Sequence, residues 1–140
     1  MATGTKFANA NTVVTTGWTN PTNAYADDTS YATAAPGKNA DITTDWGFPA
    51  FATGDIPDGA TINSVTAEVL YKSSVTNSVN ATLGLQLNNG GLLDAESTVG
   101  MTTTDTLTTK QATAGIALAD LRTANTVTLR VRGHRANSNT

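Results

Sequence analysis

Three stretches of the chain alternate strictly between apolar and polar side chains. In Ile62 to Lys72, Val65, Ala67, Val69 and Tyr71 fall on one face, and Thr66, Glu68, Leu70 and Lys72 on the other. In Val79 to Leu87, Val79, Ala81, Leu83, Leu85 and Leu87 oppose Asn80, Thr82, Gly84 and Gln86. In Asn125 to Gly133, Val127, Leu129 and Val131 are expected inward, and Thr126, Thr128, Arg130 and Arg132 outward. A period of two marks β-strands with one buried face. Less regular stretches at Thr12 to Trp18, Asp41 to Phe48 and Met101 to Thr109 predict further strands, the last of them Thr-rich and read as an edge or a solvent-facing strand.

Turn chemistry falls between these runs. Ile56-Pro57-Asp58-Gly59-Ala60 precedes the first, with Pro57 expected to preset the first corner. Asn88-Asn89-Gly90-Gly91 ends the second and predicts a hairpin, because Asn and Gly tolerate positive φ. Leu92-Leu93 then starts a return path, and Ala117 to Arg122 reads as one or two helical turns. The fold expected is an all-β antiparallel sandwich. Residues 1–11 are expected to form a flexible N-terminal arm, 12–135 the single domain and 136–140 a frayed tail.

Composition supports the β reading. About one residue in five of the 140 is threonine, and charged residues are 14%, against roughly 25% in typical domains. β-Branched side chains suit a pleated surface better than a helix. The absence of cysteine excludes disulfides, thiol catalysis and cysteine zinc sites. No apolar run is long enough for a membrane helix, and Met1 to Ala10 lacks the apolar stretch of a secretion signal. The net charge of −3 gives no general attraction to nucleic acid.

Candidate chemistry is sparse. The single histidine, His134, cannot build a histidine metal cluster, and reads as an exposed residue near a frayed end. Asp27, Asp28, Asp41 and Asp45 lie near Tyr25, Tyr31 and Trp46 in sequence. They suggest a carboxylate pair for glycan hydrolysis, a calcium loop or, more simply, Asx turns. Trp18 reads as core, and Trp46 equally as core or as a sugar platform; exposure of Trp46 beside Tyr25 or Tyr31 would favour glycan binding. Arg130 and Arg132 share one strand face, about 7 Å apart by strand rise. They are a solvated face that blunts an edge strand, or a stripe that docks an acidic partner; nucleic acid ranks last.

Gly17-Trp18-Thr19-Asn20-Pro21-Thr22-Asn23-Ala24, Ala26-Asp27-Asp28, Tyr31-Ala32-Thr33, Gly47-Phe48 and Ile56-Pro57-Asp58-Gly59-Ala60-Thr61-Ile62 resemble the first half of small jelly-roll domains in structural proteins of tailed bacteriophages. The closing strand Val127 to Val131 fits the same pattern. The resemblance implies a jelly-roll-like sandwich in a virion and supplies no catalytic residue. Read as a whole protein, the chain's length suits a capsid decoration (cement) protein better than a tail fibre. The expected function is therefore non-enzymatic binding and stabilisation of the outer capsid surface, without cofactor or metal. The expected partners are the major capsid protein and further copies of the chain as a homotrimer, with no nucleic acid or membrane. The expected contacts are Thr3, Thr5, Lys6, Phe7, Asn9 and Asn11 of the arm, with Arg130 and Arg132. The alternative is a carbohydrate- or receptor-binding sandwich of a tail fibre or spike.

Overall fold

The computed structural model describes residues 4–74 and 81–136. The described strands are β1 (Ala10–Val13), β2 (Trp18–Thr19), β3 (Thr33–Ala34), β4 (Ala40–Gly47), β5 (Val65–Tyr71), β6 (Ala81–Asn88), β7 (Leu92–Gly100), β8 (Thr106–Ala112) and β9 (Thr128–Arg135). Among the described residues, helical structure is confined to a 3-10 turn at Pro21–Tyr25 and to α1 (Leu118–Arg122). The protein is all-β and antiparallel.

β1, β4, β9, β6 and β7 form one five-stranded sheet in that order, while β5 and β8 form a separate two-stranded ribbon. The pairing is nested: β4 with β9, β5 with β8, and β6 with β7. The closing strand β9 also pairs with β6, so it runs through the middle of the sheet. The expectation that Arg130 and Arg132 guard an edge is thereby overturned, because β9 has a ladder partner on both sides.

The ribbon lies over the sheet as a second layer. Ala67 and Tyr71 of β5 and Ala112 of β8 join Trp46, Leu83, Leu85, Leu87, Leu129 and Val131 in one core. Period-two alternation explains why these residues meet: each strand sends its apolar set to one face. A smaller cluster of Ile56, Leu121 and Val127 fills one end. Trp18 of β2, and Tyr25 and Ala32 from the segment between β2 and β3, pack against the main core.

The expected strand at Thr12 to Trp18 is interrupted. β1 stops at Val13, Val14 and Thr15 both donate to the Thr43 carbonyl, and Gly17 has φ 131°. At Gly17 a Cβ would lie 2.7 Å from Ile42 Cδ1, so the chain turns close over Ile42. Val79 and Asn80, at the start of the second alternating run, lie outside the described residues. The Asn88-Asn89-Gly90-Gly91 hairpin forms with Gly90 at φ 90°. In the turn after Ile56, Ala60 N–H donates to the Pro57 carbonyl and Gly59 takes φ 77°. Pro57 therefore occupies the first position of that turn and not its first corner.

β7 carries a bulge that the sequence pattern hid. Leu85 pairs with Ser97 and Leu87 with Asp94, so Ala95 and Glu96 together oppose Gln86. The extra residue reverses the facing of what precedes it. Asp94 reaches inward to Lys110, while Glu96, two residues later, reaches outward to Arg132.

Candidate interaction surface

The segment that leads into β1 is laid along the domain from Gly4 onward. A Cβ at Gly4 would lie 2.7 Å from the Phe51 ring, so the backbone passes directly against it. Lys6 Nζ pairs with Asp55 at 3.0 Å and stands 5.6 Å from the centroid of the Phe51 ring. The same contact and a hydrogen bond from the Ala52 N–H hold the Asp55 carboxyl below its usual range, the Ala52 bond contributing most. Ala8 is buried in the main core, and Asn9 N–H donates to the Gly47 carbonyl at 3.0 Å. Asn11 pairs with Trp46 across the sheet, and its side-chain amide donates to Thr44 Oγ1. Thr5 and Asn9 are exposed, and Phe7 is 57% exposed. Val13 and Val14, just beyond, are half exposed. Thr3 lies outside the described residues. Of the expected contact residues of this segment, Thr5, Phe7 and Asn9 are exposed, with Phe7 the large apolar one, while Lys6 and Asn11 are engaged by Asp55 and Thr44.

Arg130 and Arg132 project from the outer face of the five-stranded sheet, and each is already paired. Arg130 makes a two-pronged contact with Asp45, directly opposite on β4, at 2.7 and 2.9 Å. Arg132 grips Glu96 with Nε and Nη2 and reaches Asp41 with Nη1 at 3.0 Å. Asp41 also contacts His134 Nδ1 at 2.6 Å, across the β4–β9 register. Gly84 makes room for this arrangement: it lies opposite Arg132, and a Cβ there would come within 2.6 Å of the Glu96 carboxylate. The pair therefore bridges β9 to β7 across β6.

The electrostatics follow from these contacts. Hydrogen bonds from Arg132 hold the Glu96 carboxyl below its ordinary range, and the two carboxylates in turn raise the pKa of Arg132. The His134 contact, with Arg132 assisting, holds the Asp41 carboxyl below its ordinary range. Asp45 raises the pKa of Arg130. A partner that docked on this stripe would have to displace carboxylates already in place. His134 stands in β9, is only partly exposed and belongs to the network, where the sequence suggested an exposed residue near a frayed end.

The acidic candidates separate. Asp41 and Asp45 belong to the charged face just described. Asp28 accepts the Ser30 N–H at 2.6 Å, an Asx turn, and Asp27 is exposed in the same loop. Among the described residues no group of three or more His, Asp or Glu is arranged to hold a metal ion. Trp46 is 6% exposed, stands edge-on to Trp18 with ring centroids 4.9 Å apart, and donates Nε1–H to the Pro21 carbonyl. It is a core residue, the outcome that does not favour a sugar platform. Trp18 Nε1 is buried without a hydrogen-bond acceptor among the described residues.

Sequence reasoning missed three polar devices. Lys110 faces inward and pairs with Asp94 at 2.7 Å, its side chain 9% exposed. Tyr31 donates to Asp105 at 2.6 Å, and Lys72, 4.2 Å from the Tyr31 ring centroid, pairs with the same carboxylate. Arg122 hydrogen-bonds the Phe51 and Ile56 carbonyls and Asp58, clamping the 51–58 loop. Each joins residues distant in sequence, and only the turn residue Asp58 carried a local signal.

No helix among the described residues is long and apolar enough to cross a membrane. No family model, curated protein or solved structure matches the chain.

Proposed function

We propose that the chain is a structural virion protein of a tailed bacteriophage, a jelly-roll-like sandwich that binds the outer capsid surface and stabilises it. The observation that carries this reading is the nested pairing of β4–β9, β5–β8 and β6–β7. A long antiparallel ribbon rolled into two layers produces that order, and such winding is frequent in viral coat domains. The turn at Pro57–Ala60 followed by β5 falls where the sequence resemblance requires a turn and a sandwich strand.

The role is binding, without catalysis or cofactor. The contact residues are Thr5, Lys6, Phe7, Asn9 and Asn11, with the major capsid protein as partner and a homotrimer as the clustered form. Phe7 supplies the apolar anchor. Exposed aromatic residues of this kind carry much of the energy at protein interfaces, and repetition over a shell turns weak contacts into avidity. Arg130 and Arg132 serve first as cross-strand ties and only secondarily as contacts.

The test is size-exclusion light scattering of the purified protein, with and without capsids stripped of decoration from the same phage. Saturable co-elution is expected, together with a raised capsid disassembly temperature. Phe7→Ser should lower occupancy while leaving the fold intact. A protein that ignores capsids, or a Phe7→Ser variant that decorates as well as the parent, overturns the respective part of the reading.

A further inference from the structure

Among the described residues, β5 has a ladder partner on one side only. Val65–Tyr71 pairs residue for residue with β8 over seven positions, without a bulge. Among the described residues nothing pairs with its other edge. Alternate residues of an antiparallel edge strand turn their N–H and C=O groups outward, which makes such an edge a template for a further strand. The usual protections are missing here: the strand contains no proline and no bulge, and its one charge is Glu68. The edges of the large sheet differ, since β7 is bulged and β1 is four residues long.

The space beside this edge is open. A cleft of about 1660 Å³ runs along β5, and every residue from Val65 to Tyr71 lines it, inward- and outward-facing alike. Its partly exposed apolar lining includes Val65 and Val69 of β5 with Trp18, Ala32 and Phe48. Its charge is lopsided. Asp27, Asp28 and Glu68 line it, are exposed, and have no cationic partner among the described residues. Lys6 and Lys72 also line it but are held by Asp55 and Asp105, which leaves Arg135 as the lining cation without a described carboxylate partner.

We propose that this edge and cleft are a docking site for an extended segment of another protein. The segment adds as a strand beside β5, sets alternate apolar side chains against that partly exposed lining, and carries lysine or arginine toward Asp27, Asp28 and Glu68. Main-chain hydrogen bonds give such an addition its affinity and the alternating side chains its specificity. A basic segment is favoured over a second copy of this chain, whose net charge is −3. The inference goes beyond the capsid reading and does not rest on it: the site would serve any partner that presents such a strand.

The test uses the full chain and a fluorescein-labelled peptide, Lys-Val-Thr-Val-Thr-Val-Lys. Anisotropy should show saturable binding. Amide exchange followed by NMR should show alternate amides of Val65–Tyr71 exchanging freely before the peptide is added and protected afterwards. The same peptide with its alternate amides N-methylated should bind about tenfold more weakly, because it cannot complete the ladder. Glu68→Lys, at an exposed position, should weaken binding about threefold and leave thermal unfolding unchanged. The proposal is overturned by the absence of saturable binding, by equal affinity of the N-methylated peptide, or by protection appearing away from β5. A free protein that is dimeric by light scattering, with the β5 amides already protected, would assign the edge to a second copy and equally overturn it. Co-elution with capsids tests the capsid reading independently of all these outcomes.

Discussion

On the inner face of the five-stranded sheet, Leu83, Leu85, Leu87, Leu129 and Val131 are buried together, and Leu85 and Leu87 are at most 1% exposed. On the outer face of the same strands, Arg130, Arg132 and His134 meet Asp41, Asp45 and Glu96 in partly exposed pairs. The backbone ladder is common to both faces, so differences between them belong to the side chains. Burial removes apolar area from water irreplaceably. An ion pair near water exchanges one set of strong interactions for another. The inner face should therefore set stability, and the outer face should fix register and lateral alignment of β4, β9, β6 and β7.

The sharpest test of that division is Leu87→Ala. Leu87 is 0% exposed, and truncation there should cost about 3–4 kcal/mol, from lost burial and the cavity left behind. Arg132→Ala, one residue type per face, should cost less than about 1 kcal/mol. Urea unfolding of the two variants decides the matter; equal losses would remove the distinction between the faces.

Lys110 breaks the pattern from the inside. Its ammonium is drawn in beneath the ribbon and has Asp94 as its charged partner. Asp94→Ala should cost about 2 kcal/mol, because it strands a charge whose side chain is 9% exposed. Adding Lys110→Met should recover most of that loss, since it removes the stranded charge and keeps a side chain of similar length. A double variant as unstable as the single one would show that the cost came from Asp94's place in β7 and not from the stranded ammonium.

These two faces were unequally legible in the sequence. Alternation in Ala81 to Leu87 and Val127 to Val131 identified the inner residues, because facing follows from parity alone. The same parity put Arg130 and Arg132 outside but said nothing of their partners, which lie on β4 and β7. β7 itself was read only as a return path. Its bulge lets Asp94 and Glu96, equal in parity, serve opposite faces, so no single period runs through Leu92–Gly100. The N-terminal segment looked like an arm because it is small and polar. Ala8 carries no signal that separates a core position from a linker, and its burial depends on where β4 runs. The cleft beside β5 was invisible for a related reason: an unpaired edge is a property of the sheet order and not of the strand.

Gly84→Val probes the outer face without touching a charge. The new side chain would occupy the space of the Glu96 carboxylate, 2.6 Å from the added Cβ. Since that carboxylate ends a flexible side chain, it can swing aside, and the loss should be about 1 kcal/mol or less. The informative readout is the Glu96 titration by NMR. Freed from Arg132, its pKa should return upward toward the ordinary 4.5. An unmoved titration would mean that the pair tolerates the added branch and that Gly84 is not what makes room for it.

The smallest effect expected is the pH dependence of the ladder, and its sign is fixed by the contacts. Glu96 and Asp41 both titrate below their ordinary values in the folded protein, held there chiefly by Arg132 and His134 respectively. Their stabilisation is complete above the ordinary carboxylate range, near pH 4, and is lost as pH falls through the lowered folded values. Asp55 and Asp105, lowered by the Ala52 N–H and by Tyr31, act in the same window. Because Asp41's side chain is 47% and Glu96's 29% exposed, solvent screening should hold the ladder's share below about 1 kcal/mol. Thermal unfolding between about pH 2 and 6 should therefore fall gently on acidification, and more gently in Arg132→Ala, where Glu96 has lost the main cause of its shift. Salt near 1 M should bring the two profiles together, since the pairs lie close to water. Parallel profiles at low salt would mean that the outer charges align the strands without stabilising them, leaving the inner face to carry the whole difference between the folded and unfolded chain.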